Sequence, residues 1–189
     1  GEELVPLYGE LYSHLADGFE SENRQIWKAV DAVSARTGRR GIWAMDRGGD
    51  RRRIIKGFLA RLQRFVIRMR GDRHVAHEGV TISMRQVAER CVCPHVRTIE
   101  VEQDGVRQKK TLTLGSAPVY LPEHSKPLTL VVIKGYAEEP MMLLTNLDVV
   151  RLGVDRILEI YLTRWKCEES YRFMKQGYNL EDLGGLTYT

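Results

Sequence analysis

Apolar positions along the chain follow two periods, and the switch between them organises it. Between Glu20 and Thr37 they recur at helical spacing, at Ile26, Val30 and Val33; Ser21 is placed to cap a helix there and Gly38 to end it. Gly41–Asp46 is a short unbroken apolar run that reads as a strand. The Gly48-Gly49 pair turns the chain, and Asp50 is placed to cap a second helix from about Arg51 to Leu62. Phe65–Met69 is a further strand, and Leu4–Tyr12 a weaker one interrupted by Gly9. Strands alternating with helices across short connections predict a sheet with parallel strands covered by helices.

From about Asp72 the rhythm changes. Val, Thr, Ile and Leu dominate as far as Asn146, broken by turn residues. Asp104-Gly105, between Thr98–Gln103 and Val106–Leu114, predicts a hairpin. Leu128–Ile133 and Met141–Thr145 predict two more strands, and a short helix fits near Met84–Cys91. The last element is expected to be one long helix from about Asp148, with Asp148 or Asn146 as cap, to Gln176, stopped by Gly177. The chain is therefore expected to be α/β in three segments: a core portion in 1–70, a mainly antiparallel β insertion in 71–147, and a return to the core through the long helix in 148–189.

Composition narrows this picture. The chain has 189 residues, 43% hydrophobic and 29% charged, enough apolar content for a buried core and against global disorder. No apolar run reaches the roughly 18–20 residues of a membrane span, so no membrane partner is expected. Three cysteines argue against a disulfide-built secreted scaffold and for a reducing cytosol. The net charge of +4 hides an uneven distribution: Arg39–Arg73 carries twelve basic and three acidic residues, and the remainder sums to −5. A basic block beside an acidic remainder fits a polyanionic partner, and equally a solvated arginine-rich helix. The chain opens Gly-Glu-Glu without an initiator methionine, and a piece of a longer protein is expected.

The long helix carries the candidate chemistry. At about 100° per residue, Val154, Ile157, Leu158, Tyr161 and Trp165 form one apolar stripe, which runs on into Arg164, Glu168, Arg172 and Lys175. Glu169 falls about 100° from Glu168 and faces elsewhere. The Arg164–Glu168–Arg172 spacing also fits an exposed ion-pair ladder; the alternative is a carboxylate held among bases where it can bind a divalent metal while the bases hold phosphates. Asp46 is the second anchor. It ends a strand, and the carboxyl ends of strands in open α/β sheets are where ligands bind; its other reading is a local turn cap, a role Asp50 can fill instead. Two such acids beside a basic block suit two-metal phosphodiester chemistry, with ions about 3.5–4 Å apart. A third carboxylate is not assignable: Asp17, Asp31 and Asp50 do not end apolar strands.

Tyr161, Arg164, Glu168 and Lys175, separated by two, three and six residues, resemble the Y-R-E-K signature of bacterial cut-and-paste, hairpin-forming insertion-sequence transposases, members of the DDE superfamily. Trp165 follows the arginine as in many relatives. Met45-Asp46-Arg47-Gly48-Gly49-Asp50 looks like that group's second-aspartate motif, and the order of aspartate, β region and glutamate helix also fits. The resemblance implies a ribonuclease H-like core, incomplete here at its N-terminal strands, with the β insertion before the glutamate helix. It implies Asp46 and Glu168 as catalytic, metal-binding acids for two Mg2+ (or Mn2+) ions, and Tyr161, Arg164 and Lys175 as DNA-binding residues, with Arg172 on the same stripe. It further implies double-stranded transposon-end and target DNA as partner, a homodimer on that DNA, and a cytoplasmic, nucleoid-associated bacterial setting. The Arg51–Arg53 cluster and Lys56 would add backbone contacts.

Two other readings stand beside this one: a non-catalytic nucleic-acid-binding remnant without the family's first aspartate, and another ribonuclease H-like nuclease such as a junction resolvase. Cys91-x-Cys93-Pro-His95 lacks the partner pair of a structural zinc site. His74 and His77 are spaced wrongly for two ligands on one helix face. Trp43, Phe65 and Phe173 read as core.

Overall fold

The computed structural model describes residues 5–168 apart from 11, 12, 14, 16, 104, 105 and 123, and for 101–107 only backbone is described. In chain order the elements are α1 (Glu22–Thr37), β1 (Ile42–Met45), a one-turn 3-10 helix (Arg47–Gly49), α2 (Arg52–Ala60), β2 (Arg64–Arg68), β3 (His74–His77), β4 (Val80–Ser83) and α3 (Met84–Arg90). There follow β5 (His95–Gln103), β6 (Val106–Val119), β7 (Leu128–Lys134), β8 (Met141–Thr145), α4 (Val149–Leu152) and α5 (Val154–Leu162).

Six strands make one mixed sheet in the order β1-β2-β8-β7-β6-β5, and β3 and β4 form a separate hairpin. β1 and β2 are parallel, as the helix between them requires; every other pairing in the large sheet is antiparallel. The β5–β6 hairpin is in register from His95↔Leu114 to Gln103↔Val106; the intervening residues 104 and 105 lie outside the described set. β8 pairs directly with β2, so the strands after residue 71 continue the sheet begun by β1 and β2. Asn146 extends that junction: its side-chain oxygen accepts from Phe65 N–H at 3.0 Å and its amide donates to Gln63 O at 2.8 Å.

The middle of the sheet is buried on both faces, which is why β2, β7 and β8 read as continuous apolar runs. Phe65, Ile67, Leu130, Val132, Met142 and Leu144 face a core closed by α1, α2 and α3. Val66, Val131, Ile133 and Leu143 face a second core closed by α5, through Val154, Ile157, Leu158 and Tyr161. On the first face Phe58 centres an aromatic cluster, 5.3 Å from Trp27 and 5.8 Å from Phe65 between ring centres. Trp43 packs beside it and donates to Gln63 Oε1 at 3.1 Å. No helix among the described residues is long and apolar enough to cross a membrane.

Three expectations need correction. Residues 5–10 form no strand: Pro6 removes a donor and Gly9 weakens the run, and Val5, Leu7 and Tyr8 are exposed. Asp50 does not cap α2; the capping position is Arg51, without a side-chain cap bond. The single helix from Asp148 is interrupted. Asp148 does cap, accepting from Arg151 N–H at 3.1 Å. But α4 then ends at Gly153, whose φ of 84° and ψ of 150° are open essentially to glycine alone. Beyond Leu162 the path tightens: Arg164, Lys166 and Cys167 donate their N–H groups three residues back. Such bonding turns about 120° per residue instead of 100°. This advances the phase and swings Trp165, expected on the apolar stripe, out to 49% exposure, while the other four stripe residues are buried. Residues 165–168 are helical again.

Candidate functional site

Asp46 stands at the carboxyl end of β1, on the parallel strand pair. Its carboxylate Oδ1 accepts the Gly48 N–H at 2.8 Å and caps the 3-10 turn that follows. The turn-capping reading is therefore realised by Asp46, and Asp50 is the residue drawn inward. Asp50, with its side chain 2% exposed, accepts from Arg73 Nε at 2.9 Å and Nη2 at 2.7 Å, and from the Arg70 N–H at 2.9 Å. It ties the segment after β2 to the turn after β1. Asp46 itself is exposed.

The second cluster lies at the end of α5. Tyr161 is 1% exposed and belongs to the core beneath this helix. Arg164 lies against two rings, 5.8 Å from the centre of Tyr161 and 5.3 Å from that of Trp165, and donates to Glu168 Oε1 at 2.6 Å. Burial works against its charge. The hydrogen bond to Glu168, together with the Tyr161 hydroxyl, outweighs that and holds its pKa above the ordinary arginine value. Its side chain is 17% exposed, yet its Nε atom is buried without a hydrogen-bond partner among the described residues. A buried donor without a partner costs about 1–3 kcal/mol, so the guanidinium is oriented with bonding capacity left over. Glu168 is half exposed, with one oxygen engaged by Arg164.

The structure thus brings Tyr161, Arg164 and Glu168 together, as their spacing predicts, with the tyrosine as a buried support for the arginine. Arg172, Lys175 and Glu169 lie outside the described residues. No cluster of three or more His, Cys, Asp or Glu side chains close enough to hold a metal ion occurs among the described residues. Among the described residues no contact joins the Asp46 and Glu168 carboxylates; each is engaged locally, Asp46 by the Gly48 N–H and Glu168 by Arg164. Cys91 and Cys93 are free thiols. Burial and the neighbouring Cys93 push the Cys91 thiol up to about 11.

The Asp50–Arg73 pair was not anticipated. Nothing in local periodicity couples residues 23 positions apart; the one signal was an acid in a Gly-rich turn close to an arginine-rich segment. Comparison of the chain with protein-family models and with curated proteins finds no match.

Proposed function

We propose that this chain is part of the catalytic domain of a DDE-type DNA transposase, an enzyme that cuts transposon-end DNA and joins it to a target. The observation that carries the reading is the Arg164 cluster. Four residues with the spacing of the Y-R-E-K signature include an arginine braced by Tyr161 and Trp165 and bonded to Glu168. A braced guanidinium that is still partly exposed matches a phosphate oxygen. Asp46, at the carboxyl end of a parallel strand, is the second acid, and α5 packs across the core face of the sheet to which β1 and β2 belong.

Asp46 and Glu168 would hold Mg2+ or Mn2+, which when bound supplies Lewis-acid stabilisation of a phosphodiester. Arg164 would position a backbone phosphate without reading sequence, and Tyr161 would fix the guanidinium plane from below. Arg172 and Lys175 would extend the contact along the strand. The partner would be double-stranded DNA bound by paired protomers, in the bacterial cytoplasm at the nucleoid.

The runner-up is a DNA-binding remnant without chemistry; the described residues hold no group of three or more side chains that could bind a metal ion, which favours it. The deciding experiment is strand cleavage by the full-length protein on DNA carrying the inverted repeats that flank its gene. Glu168→Gln is expected to abolish cleavage with DNA binding retained, and Glu169→Gln to be mild. Cleavage by the Glu168→Gln protein with Mg2+ or Mn2+ would overturn the assignment.

A further inference from the structure

Two of the three cysteines stand where α3 hands over to β5. Cys91 ends the helix: its N–H still donates to Val87 O at 2.9 Å, while its φ of −61° and ψ of 124° are already extended. Side chains of extended backbone alternate between faces. Val92 accordingly points to solvent at 79% exposure, and Cys91 and Cys93 turn inward, half-buried against the core that α1, α2 and α3 close. The two thiols are in hydrogen-bonding contact with each other. Their other partners are backbone carbonyls at long sulfur–oxygen distances. Val92 O lies 3.5 Å from Cys91 Sγ, and Cys91 O and Val132 O lie 3.6 and 4.0 Å from Cys93 Sγ. A thiol is a weak donor and a weak acceptor, so little is lost when such bonds are given up.

The backbone that carries the pair is fixed from two neighbouring strands. A Cβ at Gly115 of β6 would lie 2.2 Å from Val92 O and 3.0 Å from Cys93 Cα, so the glycine lets the segment lie flat against that strand. Lys134, the last residue of β7, donates from Nζ to Cys91 O at 2.9 Å and to Glu89 O at 3.2 Å. This holds an ammonium within electrostatic reach of the Cys91 sulfur. The described residues place no group of three or more His, Cys, Asp or Glu side chains close enough to share an ion. What the fold brings together here is two sulfurs and one cation.

We infer that Cys91 and Cys93 form a two-sulfur site for one soft monovalent cation, Cu(I), bound between their sulfurs with the Lys134 ammonium as counter-charge. Soft thiolate ligands select Cu(I), whereas a structural zinc ion takes a closed set of four ligands and Mg2+ or Mn2+ takes oxygen donors. On binding, both S–H bonds break and two Cu–S bonds form. Two protons leave to solvent and the copper stays Cu(I). One cation between two thiolates carries a net charge of −1, which Lys134 offsets. The inference does not depend on chemistry at Asp46 and Glu168: the pair packs on the core face opposite the one that α5 covers.

The test is anaerobic titration of the intact chain with Cu(I), kept reduced by ascorbate, against the coloured chelator bicinchoninate. One Cu(I) per chain is expected, with an all-sulfur, two-coordinate shell by X-ray absorption. Cys91→Ser and Cys93→Ser, their folding verified by circular dichroism, should each weaken binding more than about a hundredfold, beyond the range of an outer-shell partner. Lys134→Gln keeps donors for the two carbonyls but loses the charge, and should weaken binding about tenfold. Cys167, exposed and on another element, serves as the control, and Cys167→Ser should leave Cu(I) affinity unchanged. Affinity unchanged in either Cys91→Ser or Cys93→Ser would overturn the inference. So would an equal loss in Cys167→Ser, which would assign the copper to thiols of separate chains. Zn2+ that binds the pair and resists displacement by Cu(I) would overturn it as well.

Discussion

Removing the Asp50 carboxylate should destabilise the fold far more than removing any exposed acid of this chain. Asp50→Ala strips two guanidinium bonds from Arg73, at 2.9 and 2.7 Å, and one acceptor from the Arg70 N–H, at 2.9 Å. Breaking one side of a buried ion pair costs about 3–5 kcal/mol because the other charge stays behind unpaired. Asp50 meets that condition with its side chain 2% exposed, but Arg73 is 22% exposed and water reaches part of it. The low end, about 3 kcal/mol, is therefore expected. For a chain of this size each kcal/mol moves the melting midpoint by about 2–4 °C, giving a drop of about 6–12 °C by differential scanning calorimetry. Arg73→Ala should lose at least as much, since it leaves the more deeply buried carboxylate with only the Arg70 N–H as a partner. The double variant should show a coupling of about 2 kcal/mol between the two sites. A midpoint within about 2 °C of wild type for Asp50→Ala would refute the structural role and reopen Asp50 as a ligand-binding acid.

Other expectations follow from close contacts, packing and thiol chemistry. A Cβ at Gly115 would lie 2.2 Å from the Val92 carbonyl oxygen and 3.0 Å from Cys93 Cα, backbone atoms that cannot swing aside; Gly115→Ala should cost about 3 kcal/mol in a urea titration, the upper part of the overpacking range. Leu158→Ala, in the fully closed core under α5, should cost about 2–5 kcal/mol; a loss under 1 kcal/mol would mean that α5 does not close this face. At pH 8 a thiol reagent should label exposed Cys167 well ahead of Cys91, as read by peptide mass spectrometry, because Cys91 stays neutral until the pH nears about 11. Its thiolate is disfavoured in the folded state, so the folded protein holds that proton over a window where the unfolded chain releases it. Stability should therefore decline as pH rises from about 9 toward 11, and a stability profile flat across that window in wild type would contradict the burial of Cys91.

The parts of the fold legible in the sequence are those fixed by local rules. Ser21 and Gly38 bound α1, and the Ser21 hydroxyl accepts the Arg24 N–H while Gly38 takes a φ of 61°. The Asp104-Gly105 signal sits between two strands in hairpin register, and Met141–Thr145 is a strand end to end. What escaped the sequence depends on tertiary partners or on geometry below the resolution of a periodic pattern. Asp46 and Asp50 each suit a cap by composition; their roles are separated by Arg73, which arrives from the far side of β2. Gly153 looks tolerable inside a helical period, and its unusual backbone angles appear only in the folded chain. The stripe on α5 was legible as far as Tyr161, because those residues share one regular helix. Past Leu162 the tightened turn alters the phase, so Trp165 leaves the core while Arg164 still meets Tyr161 and Glu168.

Asp46 and Glu168 are proposed to serve one metal-dependent site. Electron paramagnetic resonance titration of Mn2+ into the chain, with Asp46→Asn and Glu168→Gln beside wild type, tests it without needing a DNA substrate. One weakly bound ion is expected in wild type, and at least tenfold weaker binding in each variant. Mn2+ binding unchanged in either variant would contradict it.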